Sequence, residues 1–166
     1  MPAFVAPSTK IEPLTKDSLQ AITTALNINP ESVIRSVKLD NGPVWQVLEL
    51  ASAQDVLDID SSLVSWPEFN AIGLIGPHVE GSKCHFEVRM LAPSSGMSED
   101  PITGSLNSAI ACWMSSEGRL QGDLVIAQGT RINRHGRVYI SSDVNDATRV
   151  LIGGQTQIMI EGVLDL

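Results

Sequence analysis

The stretch Asp100-Pro101-Ile102-Thr103-Gly104-Ser105 places a carboxylate, two hydroxyls and a glycine within a few residues of each other. Immediately after it, Leu106, Ala109, Ile110, Trp113 and Met114 recur at helical spacing, which predicts a buried helix over about 104–117. A polar turn entering such a helix aims free backbone N–H groups, and the positive end of the helix dipole, at one point. That point suits a substrate carboxylate or a developing enolate. Asp100 beside it is placed to move a proton. The same residues also read as an ordinary helix start, with Asp100 as N-cap and Pro101 at the first helical position. Spacing alone leaves both readings open.

The elements that must hold this stretch come from a chain of 166 residues, enough for one domain with a real core. Apolar residues make up 43% and charged residues 18%, and no run is long enough to cross a bilayer. The net charge of −8 argues against nucleic acid or an anionic membrane as partner. Met1 to Lys10 lacks a basic segment followed by an apolar run, so no secretory signal is expected. The two cysteines, Cys84 and Cys112, do not suggest a disulfide framework, and a cytoplasmic location is the expectation.

Along the chain, residues 2–13 are punctuated by prolines, with Phe4 and Val5 as a short edge strand. Thr15 caps a helix carrying Leu19, Ile22 and Leu26. Residues 33–39 and 44–50 flank Asn41-Gly42, a hairpin signal. Ser52 caps a short helix, and 61–66 reads as another helical turn. Residues 71–76 and 84–91 read as strands. In the second, alternation puts His85, Glu87 and Arg89 on one face and Phe86, Val88 and Met90 on the other. Glu99-Asp100-Pro101 reads as a turn. Beyond the helix, strands are predicted over 123–128, 137–142, 148–152 and 157–164, separated by glycine-containing turns. Seven or eight strands and two main helices give an α+β domain, a mixed or antiparallel sheet wrapped around the central helix.

The string Glu99-Asp100-Pro101-Ile102-Thr103-Gly104-Ser105 resembles the EDPVTGS signature of the phenazine-biosynthesis (PhzF-like) isomerase family, whose members share the diaminopimelate-epimerase-like fold. Further landmarks are similar: Asn41-Gly42-Pro43-Val44-Trp45, Arg89-Met90-Leu91-Ala92-Pro93 with Leu91 in place of Phe, Gln128-Gly129 through Val138, Ile152-Gly153-Gly154, and Glu161-Gly162. The likeness covers roughly residues 35–166 and is to the C-terminal half of that family. It implies a single domain over 1–166, with the N-terminal half, which carries a general-base Glu, not represented. It also implies cofactor-independent proton transfer, of the isomerase or epimerase type, on a small carboxylate-bearing substrate within a biosynthetic process. Asp100 then corresponds to the catalytic position. Gly104 and Ser105 hold the substrate carboxylate, and Thr103 supports the turn. Glu99 braces the loop by pairing with a basic residue. The missing wall of the site is expected from a separate N-terminal domain or from a second copy in a homodimer.

Other residues carry less. His78, His85 and His135 lack metal-ligand spacing, and no metal site is expected. Cys112 reads as a buried helix cysteine. Ser105 has no evident His and Asp partners for a hydrolase triad. Gly104 and Gly153-Gly154 do not compose a dinucleotide fingerprint. Arg131, Arg134, Arg137 and Arg149 read as a solvated strand edge, with an acidic ligand as the weaker alternative. Against the enzyme stands a second function, a small-acid-binding or vestigial subunit that keeps the anion-holding turn without the base.

Overall fold

A computed structural model describes residues 1–63, 71–92, 97–143 and 146–163. Ten strands form one mixed sheet in the order β1-β10-β9-β8-β6-β5-β4-β3-β2, with β7 also on β6. They are β1 (Ala3–Val5), β2 (Lys10–Pro13), β3 (Val33–Asp40), β4 (Val44–Leu50), β5 (Ala71–Pro77), β6 (Phe86–Ala92), β7 (Met97–Asp100), β8 (Leu124–Gln128), β9 (Gly136–Asp143) and β10 (Asp146–Gly153). Among the described residues three α-helices, α1 (Lys16–Ala25), α2 (Ala53–Asp58) and α3 (Gly104–Ser116), accompany the sheet. The α+β expectation and the central helix hold. Among the described residues no helix is long and apolar enough to cross a membrane.

Strand alternation sorts the core into two layers. On one face, Leu106, Ala109, Ile110, Trp113 and Met114 of α3 pack against Val37, Leu39 and Trp45 from one wing of the sheet and Val138, Ile140 and Ile152 from the other. The sheet therefore curls around α3. The helix seats closely on β5, where a Cβ added to Gly73 would lie 2.8 Å from Leu106 Cδ1. On the opposite face, Ile22 of α1, its C-cap Leu26 and Val56 of α2 cover Leu48, Ile72, Leu74 and Leu91. Thr15 and Ser52 cap α1 and α2 as expected, accepting from the backbone N–H of Ser18 and Asp55, both at 3.1 Å.

Several sequence expectations are corrected. Residues 97–100 are a strand rather than a turn, because the backbone finds β6 to pair with. The proline-punctuated start includes β2, an edge strand on β3, where Pro13 sits at the strand's last position. Residues 157–163 form no strand, although the apolar run Ile158–Ile160 beyond a glycine-containing turn predicts one, and Leu164 lies outside the described residues. β10 is already flanked by β1 and β9, so the chain leaving Gly153 meets no open edge there. The strand predicted from Cys84 begins at Phe86. The helical turn predicted over 61–66 is a 3₁₀ turn at Ser61–Leu63, and 64–66 lie outside the described residues, as does Pro93.

Candidate active site

The site begins with a shared strand. The first half of β6 pairs in parallel with β8, Val88 opposite Gln128, and its second half pairs antiparallel with β7, Met90 opposite Asp100. β7 and β8 thus run toward each other along one edge of β6, and their last residues, Asp100 and Gln128, meet. Both chains must then leave the sheet. β7 turns at Pro101 into α3. β8 turns at Gly129, which has φ +83 and lies so close to Pro101 that an added Cβ would stand 2.7 Å from its carbonyl oxygen.

Alternation along β7 separates two neighbouring carboxylates. Glu99 points to the α2 face and is buried against Arg89, which is 0% exposed. Arg89 Nε and Nη2 donate to Glu99 Oε2 at 3.1 and 2.7 Å. Its Nη1 donates to the carbonyls of Val56 and Ile59 at 2.9 and 2.6 Å. The pairing expected of Glu99 is thereby found, and it ties β7 to the end of α2.

Asp100 points to the α3 face and is half-buried. Its Oδ2 accepts from the Thr103 hydroxyl at 2.5 Å. Thr103, not Asp100, is the N-cap of α3, and its own side chain makes no capping bond. The ordinary reading with Asp100 as N-cap is therefore not the one the chain adopts. Instead Gln128 Oε1 accepts from the Thr103 N–H at 3.1 Å, so one of the helix-start amides is taken by a residue from β8. Asn107 Nδ2 spans the first turn to the Thr103 carbonyl at 2.8 Å and to Gln128 Oε1 at 2.8 Å.

The next three amides, of Gly104, Ser105 and Leu106, meet no protein acceptor among the described residues. They form the anion-seeking end of a helix of 13 residues. The Ser105 carbonyl is held by Asn41 Nδ2 at 2.8 Å and Ser108 Oγ at 2.9 Å. Trp45 Nε1 donates in turn to Asn41 Oδ1 at 3.2 Å. The Asn41-Gly42 hairpin, read in the sequence as a turn, therefore also fixes the helix start.

A cavity of about 480 Å³ opens at Gly104 and is lined also by Phe4, Ile102, Arg137, Ile152 and Gly153. Of the predicted site residues, Gly104 lines this cavity, and Asp100, Thr103 and Ser105 do not. Gly104 has no positive φ, and an added Cβ would meet only Phe4, at 3.9 Å. Packing does not require a glycine here, and its smoothness leaves the amides approachable.

Sequence reasoning missed Gln128 and Asn107, both 0% exposed, and gave Arg137 to a solvated edge. Arg137 instead borders the cavity, its Nη1 on the Gly136 carbonyl at 2.7 Å. The signal for Gln128 was a lone polar residue closing the apolar run Leu124–Ala127. The histidines scatter: His78 Nε2 meets Glu87 Oε2 at 3.1 Å, His85 Nδ1 accepts from the Val125 N–H at 2.9 Å, and His135 is exposed. No group of three His, Cys, Asp or Glu able to hold a metal occurs among the described residues. Cys112 is half-buried, not buried, with Sγ 3.8 Å from the Pro7 carbonyl oxygen, and Cys84 is buried; both are free.

Comparison with known proteins returns a consistent family. The family model for phenazine biosynthesis-like proteins, PhzC–PhzF, matches residues 3–162. The chain is 30% identical to antisense-enhancing sequence 1 of Schizosaccharomyces pombe, an alignment covering 96% of this chain and 57% of that protein. It is 25% identical to the uncharacterized isomerase YddE of Salmonella typhimurium, covering 89% of this chain and 54% of that one. A PhzF-family phenazine biosynthesis protein of Bacillus anthracis shares the fold at a TM-score of 0.69 and 16% identity, over 90% of this chain and 55% of that structure. The chain therefore spans a little over half the length of the relatives it matches.

Proposed function

Because the chain belongs to the phenazine biosynthesis-like family, we propose that it supplies one wall of a cofactor-independent isomerase or epimerase site. The substrate is a small molecule bearing a carboxylate. That carboxylate sits on the amides of Gly104 and Ser105, with the Ser105 hydroxyl beside it. Asp100 moves a proton to or from a neighbouring carbon, and the helix end stabilises the negative charge that develops. Thr103 holds Asp100 in register. The opposing acid or base comes from a second body, either a further domain or a second copy of this chain.

The observation that carries this reading is the juxtaposition of unpaired helix-start amides with a carboxylate anchored on the same turn. Exchange of substrate protons with heavy water tests it. The chain is incubated in D₂O with a panel of amino acids and small unsaturated carboxylic acids, and loss of C–H signals is followed by proton NMR. The reading expects exchange with at least one member and its loss in Asp100→Asn. General acid–base contributions of about 10²–10⁴-fold make that loss easy to see. Binding without exchange would identify a small-acid-binding subunit instead.

A further inference from the structure

We infer that Gln128 is the positioning residue of this site: it fixes which way the Thr103 hydroxyl points, and so which oxygen of Asp100 carries the proton. The inference takes its chemical meaning from the proton-transfer reading above, but its geometry stands on one side-chain amide.

Gln128 is 0% exposed and uses its whole hydrogen-bonding capacity. Its Nε2 donates to the Asp100 carbonyl at 3.0 Å and to Thr103 Oγ1 at 2.9 Å. Its Oε1 accepts from the Thr103 N–H at 3.1 Å and from Asn107 Nδ2 at 2.8 Å. Turning the amide over would set oxygen against the Asp100 carbonyl and nitrogen against the Thr103 N–H, two repulsive contacts made by a side chain that is itself fully buried. The orientation is forced.

A consequence follows for Thr103. Its Oγ1 already receives a hydrogen from Gln128, so its single hydroxyl hydrogen goes to the one acceptor within reach, Asp100 Oδ2 at 2.5 Å. A directed chain results, from Gln128 Nε2–H through the Thr103 O–H to Asp100. Oδ2 is thereby occupied as an acceptor, and Oδ1, which accepts nothing from the protein among the described residues, is left to exchange a proton with substrate. In that step the proton passes between a substrate carbon and Oδ1. The electron pair of the broken C–H bond stays on the substrate and re-forms a C–H bond when a proton returns.

The test needs no ligand, so it is decided separately from the exchange assay above. In the isotopically labelled wild-type chain, NMR couplings across hydrogen bonds are expected between Gln128 Nε2 and the Asp100 carbonyl carbon, and between the Thr103 amide nitrogen and Gln128 Cδ. A low-field, slowly exchanging Thr103 hydroxyl proton is expected as well. It should persist in Thr103→Ser. In Gln128→Glu, where an oxygen replaces Nε2, the hydroxyl turns to the new acceptor and the resonance should be lost or shifted. Absent couplings in the wild type, or a hydroxyl resonance unmoved by Gln128→Glu, would overturn the assignment. Should Gln128→Glu fail to fold, the wild-type couplings still decide the orientation. Failure of D₂O exchange with intact couplings would instead count against the proton-transfer reading alone.

Discussion

Gly104 and Glu99 show how two residues of one short signature answer to different demands. At Gly104 the protein has room for a methyl group, so Gly104→Ala should fold, and replacing glycine in a helix favours stability by up to about 1 kcal/mol. The added Cβ would stand beside the unpaired amides of the first turn of α3. The expected outcome is an unchanged or raised melting temperature together with weakened carboxylate binding. A variant that binds as well as the parent would show that the ligand does not approach there. Glu99, by contrast, answers to Arg89. Glu99→Ala would strand a fully buried guanidinium, and breaking such a pair costs about 3–5 kcal/mol. Denaturant unfolding should show a loss of that order, and a loss well under 1 kcal/mol would contradict the role assigned to the pair.

Among the elements, the meeting of β7 and β8 along β6 builds the site, and α3 carries it. Leu106 is the first buried residue of α3 and rests over Gly73. Leu106→Ala should cost about 2–5 kcal/mol and loosen the first turn, raising hydrogen exchange at residues 104–107 more than at the far end of the helix. Uniform exchange along α3 would contradict that local role. The edge strand β2 makes a smaller prediction. Glu12 is held below the ordinary carboxylate range, first by its hydrogen bond from Lys10 and then by that from Lys38. Its contribution is therefore present above the ordinary carboxylate range and lost as the pH falls through the lowered value. Glu12→Gln should lower the melting temperature slightly at pH 7 and match the wild type in strong acid.

At this scale it is also visible what the sequence could and could not convey. The period of α3, the caps Thr15 and Ser52, the Asn41-Gly42 hairpin and the two faces of β6 are local patterns, and local patterns can be read from residues alone. The seven-residue signature also marked the place where β7 gives way to α3. β7 was not legible, because four residues become a strand only when β6 offers an edge. Gln128 stood out only as a lone polar residue ending an apolar run and as part of a family landmark, and what it does was not legible. Its role exists only once two strands distant in sequence meet, and no spacing rule marks that meeting. The tail 157–163 shows the converse, a good strand pattern with no edge to join.

The whole molecule presents its helix start on a face that is more apolar than an acidic domain needs. Phe4 is 48% exposed and Ile102 is 45% exposed beside the cavity. A second body covering this face would bury such residues and complete the site, in keeping with a chain that spans little more than half of its relatives. If that body is a second copy, light scattering at micromolar concentration should give a dimer; a monomer at all concentrations would leave only a separate domain. The central claim is nearer still to the chemistry: a carboxylate seats on the start of α3. Titrating the labelled chain with small carboxylic acids and following its amide resonances measures this directly. The account predicts that Gly104 and Ser105 move most and together. Shifts confined to other surfaces, or none at concentrations that saturate exchange, would contradict it.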